Sequence, residues 1–309
     1  MTKKNNHTFI KASLLTLFGS SAIVAHYLSK KKSFMDGNEY QRVKAFRKDR
    51  MTEADRHNDV TCSIVSHNSA DDIAIVLESL SKQVPLSSIY VVDNASTDET
   101  LEIIREDFPE VNLIQSDTNL GFGAGHNEVI KLVDSKYHII VNPDIQVDED
   151  TVKKLAVFME ENPNIVCTTP RIHNIDGTEQ QLPKRNPKIK YFLGGRLENK
   201  FNFASKWRAE YTRSDEALND VTDIDFCSGC FMFIRTETLV KVGGFDERYF
   251  LYFEDADLTR MLQKKGRTVY YPKASVTHKW KRDNVKNKKI AKKALESMFK
   301  YFMKWGISA

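Results

Sequence analysis

The chain has 309 residues, 41% hydrophobic and 28% charged, which argues against both a polar disordered chain and a multi-span membrane protein and fits one large domain or two coupled ones. With 13 Gly, 8 Pro and 4 Cys it is neither collagen-like nor a disulfide scaffold, and a reducing, cytosolic setting is the default. The formal charge of +4 is unevenly spread: residues 1–59 hold 12 Lys/Arg against 6 Asp/Glu and residues 279–309 hold 10 against 2, so an acidic body lies between two basic ends. Such a body argues against a nucleic-acid partner, and basic ends mixed with apolar residues point to an anionic membrane surface.

In chain order, residues 1–59 form a basic extension. Its segment 12–28, ASLLTLFGSSAIVAHYL, is flanked by lysines. A membrane span needs about 20 mostly apolar residues. This run is short and diluted with Ser, Thr and His, so it reads as a weak anchor or interfacial helix, or else as a loose tail. A cleaved secretory signal is the third reading, without a small-x-small cleavage site to support it. Arg42, Lys44, Arg47, Lys48 and Arg50 would keep the downstream chain cytoplasmic, and residues 33–59 read as a linker.

From Val60 the pattern alternates between short β-branched runs and helical periods. Strands are predicted at Val60–Ser66, Ile89–Val92, Val111–Gln115, Tyr137–Val141 and Ile165–Thr169, and helices at Asp71–Leu80, Asp98–Phe108, Ala124–Val133 and Glu149–Glu161. That is an α/β fold with a mostly parallel sheet. Between Pro170 and Asn219 periodicity fails, in segments such as KRNPK, and loops with some helix are expected. Order returns with a strand at Ile224–Arg235, helices at Thr236–Lys241 and Asp255–Lys265, and a strand at Thr268–Tyr270. A C-terminal amphipathic helix over 281–309 groups Ile290, Ala294, Leu295, Met298, Phe299, Phe302 and Trp305 on one face, with lysines mostly elsewhere. That stripe serves either packing on the domain or docking at a membrane.

In open α/β sheets ligands bind beyond the carboxyl ends of the strands, and the polar clusters sit there: His67-Asn68-Ser69, Asp93-Asn94 to Asp98, Asn119 to Asn127 with Gly121, and Asn142-Pro143-Asp144. Each also reads as turn or cap chemistry. The glycines of NLGFGAGHN follow the third strand rather than the first, and no P-loop Gly-Lys-Ser/Thr is present, which moves nicotinamide and NTPase readings back. Asp144 is a hard oxygen ligand suited to Mg²⁺ or Mn²⁺. In FLYFEDAD, aromatics press on Glu254, Asp255 and Asp257 at a predicted helix start; this is ordinary capping, or desolvation that makes a carboxylate a better base. His278 stands alone after the last strand, and Cys227/Cys230 lack the partners of a zinc site.

Taken in order, VSHNS (65–69), VVDNASTDET (91–100), NLGFGAGHN (119–127), NPD (142–144), CSGCFMFIR (227–235), GGFDERYFLYFEDADLTR (243–260) and His278 resemble glycosyltransferase family 2, the inverting enzymes of GT-A fold. NPD in place of Asp-x-Asp, with FDERYF and EDADL, looks most like the rhamnosyltransferase branch. The resemblance implies a GT-A nucleotide-sugar-binding domain over about 60–280. On its donor side Asp93 would hold the base, beside the main chain near Ser66 and Asn68, with Asn94, Asn119, Gly121 and Asn142 in the same clusters. Asp144 would bind a divalent cation, Mg²⁺ or Mn²⁺, assisted by His278, and Asp255, with Glu254 next to it, would be the general base. The implied partners are a nucleotide sugar, dTDP-L-rhamnose or a UDP-sugar, and a cell-surface polysaccharide or lipid-linked glycan acceptor. With the basic ends and the segment 12–28, the expected location is cytoplasmic, peripheral to or weakly anchored in the cytoplasmic membrane. A UDP-sugar donor, a non-catalytic nucleotide-sugar-binding protein and a nicotinamide enzyme are the competing readings.

Overall fold

The computed structural model describes residues 59–192, 201–280 and 288–307. The apolar segment 12–28 and the linker lie outside the described residues. Four parallel strands, β1 (Val60–Ser66), β2 (Ile89–Asn94), β3 (Asn112–Ser116) and β4 (Tyr137–Val141), lie in the order β3-β2-β1-β4. They alternate with α1 (Ile73–Ser81), α2 (Thr100–Asp107) and α3 (Phe122–Ile130). The sheet then mixes direction: β8 (Phe231–Arg235) runs antiparallel to β4 and to β6 (Ile165–His173), while β9 (Arg267–His278) runs parallel to β6. A three-residue strand, β5 (Ile145–Val147), and a two-residue one, β7 (Thr222–Asp223), each pair antiparallel with β9. Further helices among the described residues are α4 (Thr151–Glu161), α5 (Asn202–Thr212), α6 (Thr236–Val242), α7 (Glu254–Gln263) and α8 (Lys288–Trp305).

Alternation along the central strands buries both sheet faces. Ile139 and Val141 of β4 and Phe231 and Phe233 of β8 enter one core, while Ile140, Met232 and Ile234 enter the other. This two-sided burial explains the near-continuous apolar runs in these strands. Helix α1 turns Ile73, Val76, Leu77 and Leu80 inward, the i, i+3, i+4, i+7 spacing of one helical face.

The strand predicted over Ile224–Arg235 is shorter than expected. Only its last five residues join the sheet as β8, because the backbone N–H groups upstream are taken by other partners. Cys227 N–H donates to Thr259 Oγ1 (3.2 Å) and Gly229 N–H to Asp255 Oδ2 (3.1 Å). Conversely β9 runs for twelve residues where three were predicted, passing an irregularity at Pro170/Arg171 of its partner β6. The C-terminal stripe packs on the domain: Met298, Phe299 and Phe302 are buried, together with Tyr301, which lies just beside the predicted face. Leu295 of the same stripe stays exposed.

A polar chain runs through the interior between β1, β4 and α3. The Ser135 hydroxyl donates to the Tyr137 carbonyl (2.7 Å), so Ser135 accepts from Thr61 (2.7 Å). Thr61 in turn accepts from His138 Nδ1 (2.8 Å), which leaves His138 Nε2 to accept from the Ser63 hydroxyl (2.8 Å). Ser63 then accepts from His126 Nδ1 (2.7 Å), and His126 Nε2 ends the chain as a buried lone pair without a partner. Each hydroxyl has one proton, so every direction follows from the first. Burial above all holds both imidazoles neutral, His138 down at about 3 and His126 well below its ordinary value.

The unfolded chain therefore binds protons that the folded one refuses. Stability is full above the ordinary histidine value of about 6.5 and falls as pH drops below it, by up to about 1.4 kcal/mol per pH unit for each site. Calorimetry should show Tm declining from pH 7 to 5, with a shallower decline in His138→Gln, whose amide still offers one donor and one acceptor.

Candidate active site

The carboxyl ends of β1 and β2 are held together by their loops. Register pairs Ser66 with Asp93, and the buried Asp93 carboxylate accepts from the Ser66 hydroxyl (3.2 Å) and from Ser96 N–H (3.0 Å). Asn68, left-handed at φ 54°, donates its N–H to Ser96 Oγ (2.9 Å) and accepts Thr97 N–H on Oδ1 (2.8 Å). Asp98 makes an Asx turn just before α2, accepting from Ala70 N–H and from Thr100 N–H and hydroxyl. The turn reading thus holds for Asp98, while Asp93 is fixed at a strand end beside Ser66.

Asn94 donates to the Gly121 carbonyl (3.2 Å), and its buried Oδ1 has no partner. Asn119 accepts Gly121 N–H (2.9 Å). Gly121 sits at φ +89°, and a Cβ there would stand 2.4 Å from the Phe250 carbonyl oxygen; only glycine allows that approach. Phe122 N–H donates to the same carbonyl (3.2 Å). One turn later Asn127 brackets the Phe245 backbone, accepting its N–H and donating to its carbonyl, each at 2.9 Å. The glycine segment therefore carries the 245–250 loop.

Antiparallel pairing sets Ile145 opposite His278 and brings Asp144 to the imidazole, with Asp144 Oδ1 3.3 Å from His278 Nε2. Burial pushes the Asp144 carboxyl up, but the His278 imidazole, through hydrogen bond and charge, outweighs it and leaves Asp144 below the ordinary carboxylate range. Oxygen and imidazole ligands in adjacent octahedral positions on Mg²⁺, each about 2.1 Å from the ion, stand about 3.0 Å apart. The pair fits that spacing. Among the described residues no group of three or more His, Cys, Asp or Glu is assembled, so an ion here would need oxygens from a ligand or water, the usual habit of Mg²⁺.

The neighbouring carboxylates of FLYFED part company. Asp255 is half-buried, accepting Gly229 N–H on one oxygen (3.1 Å) and Ala256 N–H on the other (2.9 Å). Glu254 is buried, with Oε2 unpartnered. Burial first, and the Asp255 charge second, push Glu254 up to about 8, so it is neutral at pH 7. Burial also raises Asp255, with the Gly229 N–H and then Lys184 pulling it back. Lys184, from the irregular KRNPK segment, lies over the rings of Phe226 (5.5 Å) and Tyr211 (5.9 Å). Residues 229 and 230 link two loops: Gly229 N–H holds Asp255, while the Cys230 carbonyl accepts Asn142 N–H at the start of NPD (3.0 Å).

The approach to Asp255 is strained. Tyr252 and Phe253 are consecutive left-handed residues at φ 66° and 69°, a conformation that costs on the order of 1–3 kcal/mol per non-glycine residue. Helix α8 holds it. Phe253 packs on Tyr301 (5.4 Å) and Phe302 (6.4 Å), and Lys304 Nζ and Trp305 Nε1 donate to the buried Asp257 carboxylate (2.7 and 2.6 Å).

The profile of glycosyl transferase family 2 matches residues 61–243, more than half of the chain. The chain belongs to this family. It is similar to the N-acetylglucosaminyl-diphospho-decaprenol L-rhamnosyltransferase of Mycobacterium tuberculosis, at 29% identity over 65% of this chain and 68% of the relative. It is also similar to the rhamnosyltransferase WbbL of Escherichia coli, at 28% identity over 72% and 83%. Among solved structures it resembles GalNAc-T7 with UDP, GalNAc and Mn²⁺, at TM-score 0.57 and 15% identity, over 79% of this chain and half (50%) of that one. The chain is therefore a glycosyltransferase with an α/β domain and a mostly parallel sheet.

In this glycosyltransferase the expected residues fall into three groups: Ser66, Asn68, Asp93 and Asn94 with Asn119 and Gly121; Asn142 and Asp144 with His278; and Asp255. Glu254 turns away into the interior. Sequence reading missed Lys184, Asn127 and Gly229 as organisers, although KRNPK, NLGFGAGHN and CSGC all stood out from their surroundings. If Asp255 is the group that must be ionised, removing the facing cation raises its pKa further. In Lys184→Met the acid limb of the kcat/KM profile should therefore move to higher pH; an unmoved limb would detach Lys184 from Asp255.

Proposed function

We propose that this enzyme is an inverting transferase that moves L-rhamnose from dTDP-L-rhamnose to a cell-surface polysaccharide or its lipid-linked precursor, at the cytoplasmic face of a membrane. The observation that carries the reading is the likeness to two rhamnosyltransferases across most of the chain, combined with a half-buried carboxylate that Gly229 and Cys230 connect to the loop of a carboxylate–imidazole pair.

The chemistry is that of the residues present. Asp93, fixed by Ser66 and Ser96, takes the nucleobase end of the donor, and the loops at Asn68, Asn94, Asn119 and Gly121 line its path, with Asn94 Oδ1 left without a protein partner. Asp144 and His278 would hold a divalent cation, which supplies charge neutralisation at the departing nucleoside diphosphate; the GalNAc-T7 relative was solved with Mn²⁺ and UDP. Asp255 accepts the proton of the acceptor hydroxyl as that oxygen attacks the anomeric carbon. The sugar–diphosphate bond breaks on the opposite side, so the anomeric centre inverts in one step. Burial raises its pKa, which makes Asp255 a stronger base than a solvated aspartate. Neutral Glu254 gives it a neighbour that adds no second charge.

A membrane role for α8 is narrower than its amphipathic pattern suggests. Met298, Phe299, Tyr301 and Phe302 are consumed in packing, which leaves exposed Lys292 and Leu295 for a surface contact. No helix among the described residues is long and apolar enough to cross a membrane. Attachment through α8 would then be electrostatic and weakened by salt.

A UDP-sugar donor remains a specific second reading, because the Staphylococcus aureus TarS fragment solved with UDP-GlcNAc shares the fold at TM-score 0.50. Release of nucleoside diphosphate from a donor panel, with and without Mg²⁺ or Mn²⁺, separates the two. We expect metal-dependent release from dTDP-L-rhamnose; release from UDP-sugars alone would replace the sugar. Asp255→Asn should lower turnover by about 10²–10⁴-fold, the usual worth of a general base, with donor affinity unchanged, whereas unchanged turnover would remove Asp255 from that role.

A further inference from the structure

The turn between β6 and the irregular region, Asn174 to Gln180, ends against His278, and its hydrogen-bond directions are fixed from one end to the other. The exposed Asp176 carboxylate can only accept, so the Thr178 hydroxyl donates to it (2.6 Å). With its proton spent, Thr178 Oγ1 accepts from the Asn174 amide nitrogen (2.9 Å). That sets Asn174 Oδ1 toward Gln180, whose Nε2 donates to it (2.8 Å). The same Nε2 donates to the His278 backbone carbonyl (3.0 Å), an acceptor with no alternative orientation, and so fixes the Gln180 amide a second time. Gln180 Oε1 therefore faces His278 Nδ1 (3.0 Å), which must carry a proton. Gln180 is itself buried, at 5% exposure, and its N–H donates to Ile172 O (2.8 Å) in β6, so the amide stands on the sheet rather than on a free loop.

The consequence falls on the other nitrogen. With Nδ1 protonated and engaged, Nε2 is the position where the occupant varies, and it points at Asp144 Oδ1 3.3 Å away. Facing the Asp144 carboxylate, Nε2 is the natural seat for a positive centre, the second proton of an imidazolium ring or a metal ion. Metal-ligating histidines are held in this way, with the second ring N–H given to an oxygen acceptor.

We propose that Gln180 is a positioning residue that fixes the tautomer of His278 and so makes Nε2 a metal ligand. The inference rests on the reading of Asp144 and His278 as the cation site, and it extends the site to the DGTEQ turn. Gln180 touches neither metal nor substrate in this scheme. It acts by withholding the wrong tautomer, in which a proton on Nε2 of the neutral ring would block the ion.

Two readouts on the full chain test it. The first needs no metal: with selectively ¹⁵N-labelled histidine, at a pH where His278 is neutral and with its signals assigned by their loss in His278→Ala, the wild type should show protonated Nδ1 and bare Nε2. Gln180→Leu should shift His278 toward the Nε2–H form, and Gln180→Glu, which keeps an acceptor at Nδ1, should not. The second is Mn²⁺ affinity measured in the presence of dTDP, expected to fall about 10–100-fold in Gln180→Leu, the usual cost of losing such a partner, and to be retained in Gln180→Glu. An Nε2–H tautomer in the wild type, or an unchanged tautomer in Gln180→Leu, overturns the proposal. A merely structural glutamine would instead lower Tm and affinity together in both variants, which also overturns it. Mn²⁺ affinity indifferent to Asp144→Ala would sink the cation-site reading itself, a failure distinct from the tautomer result.

Discussion

The antiparallel pairing of β5 with the end of β9 is the constraint on which the rest of the site depends. Three residues, Ile145–Val147, are enough to place Ile145 opposite His278. The flanking Asp144 then meets the imidazole across the join, and Lys279 N–H seals it by donating to the Asp144 carbonyl (3.0 Å). Because β9 is simultaneously parallel to β6 for most of its length, neither partner can slip without moving the other. A one-residue slip would turn His278 to the opposite face of the sheet. The pair of a hard oxygen and an imidazole is thus fixed by backbone register rather than by loop conformation, the more rigid way to build a site.

Around this fixed pair the other half of the site is assembled by close backbone approach. Gly121 carries the Phe250 carbonyl, Asn127 brackets Phe245, and the consecutive residues Gly229 and Cys230 hold Asp255 on one side and Asn142 on the other. The segment between Phe245 and Asp255 includes two left-handed aromatic residues, and the free energy that holds it comes from α8. Burial of Met298, Phe299, Tyr301 and Phe302, with the Lys304 and Trp305 contacts to Asp257, offsets the backbone cost. Helix α8 therefore belongs to the site's support, and its apolar face has an occupant in the domain itself.

The sheet was legible where burial is two-sided. For β1 and β4 the predicted and observed bounds coincide, Val60–Ser66 and Tyr137–Val141, because a run buried on both faces has no alternation to blur its ends. The irregular stretch before β8 was misread as strand because its residues have strand composition, while its N–H groups go to the side chains of Thr259 and Asp255. β5 is too short to carry any period. The polar clusters stood out as turn-like residues at strand ends, and only their order along the chain raised them above turns. Gln180 gave no signal, since its partner His278 lies 98 positions away and a single glutamine in an exposed-looking turn has the composition of any loop. Glu254 and Asp255 were alike in sequence; burial of one and partial exposure of the other separates them.

The central claim is that Asp144 and His278 form an incomplete cation site that a nucleoside diphosphate completes. Titration calorimetry of Mn²⁺ into the protein, with and without dTDP or UDP, tests it most directly. The account predicts weak binding of Mn²⁺ alone, binding at least about tenfold tighter with the diphosphate, equivalent to about 1.4 kcal/mol of coupling, and loss of that coupling in Asp144→Ala. Diphosphate binding that is tight and indifferent to the metal would contradict it.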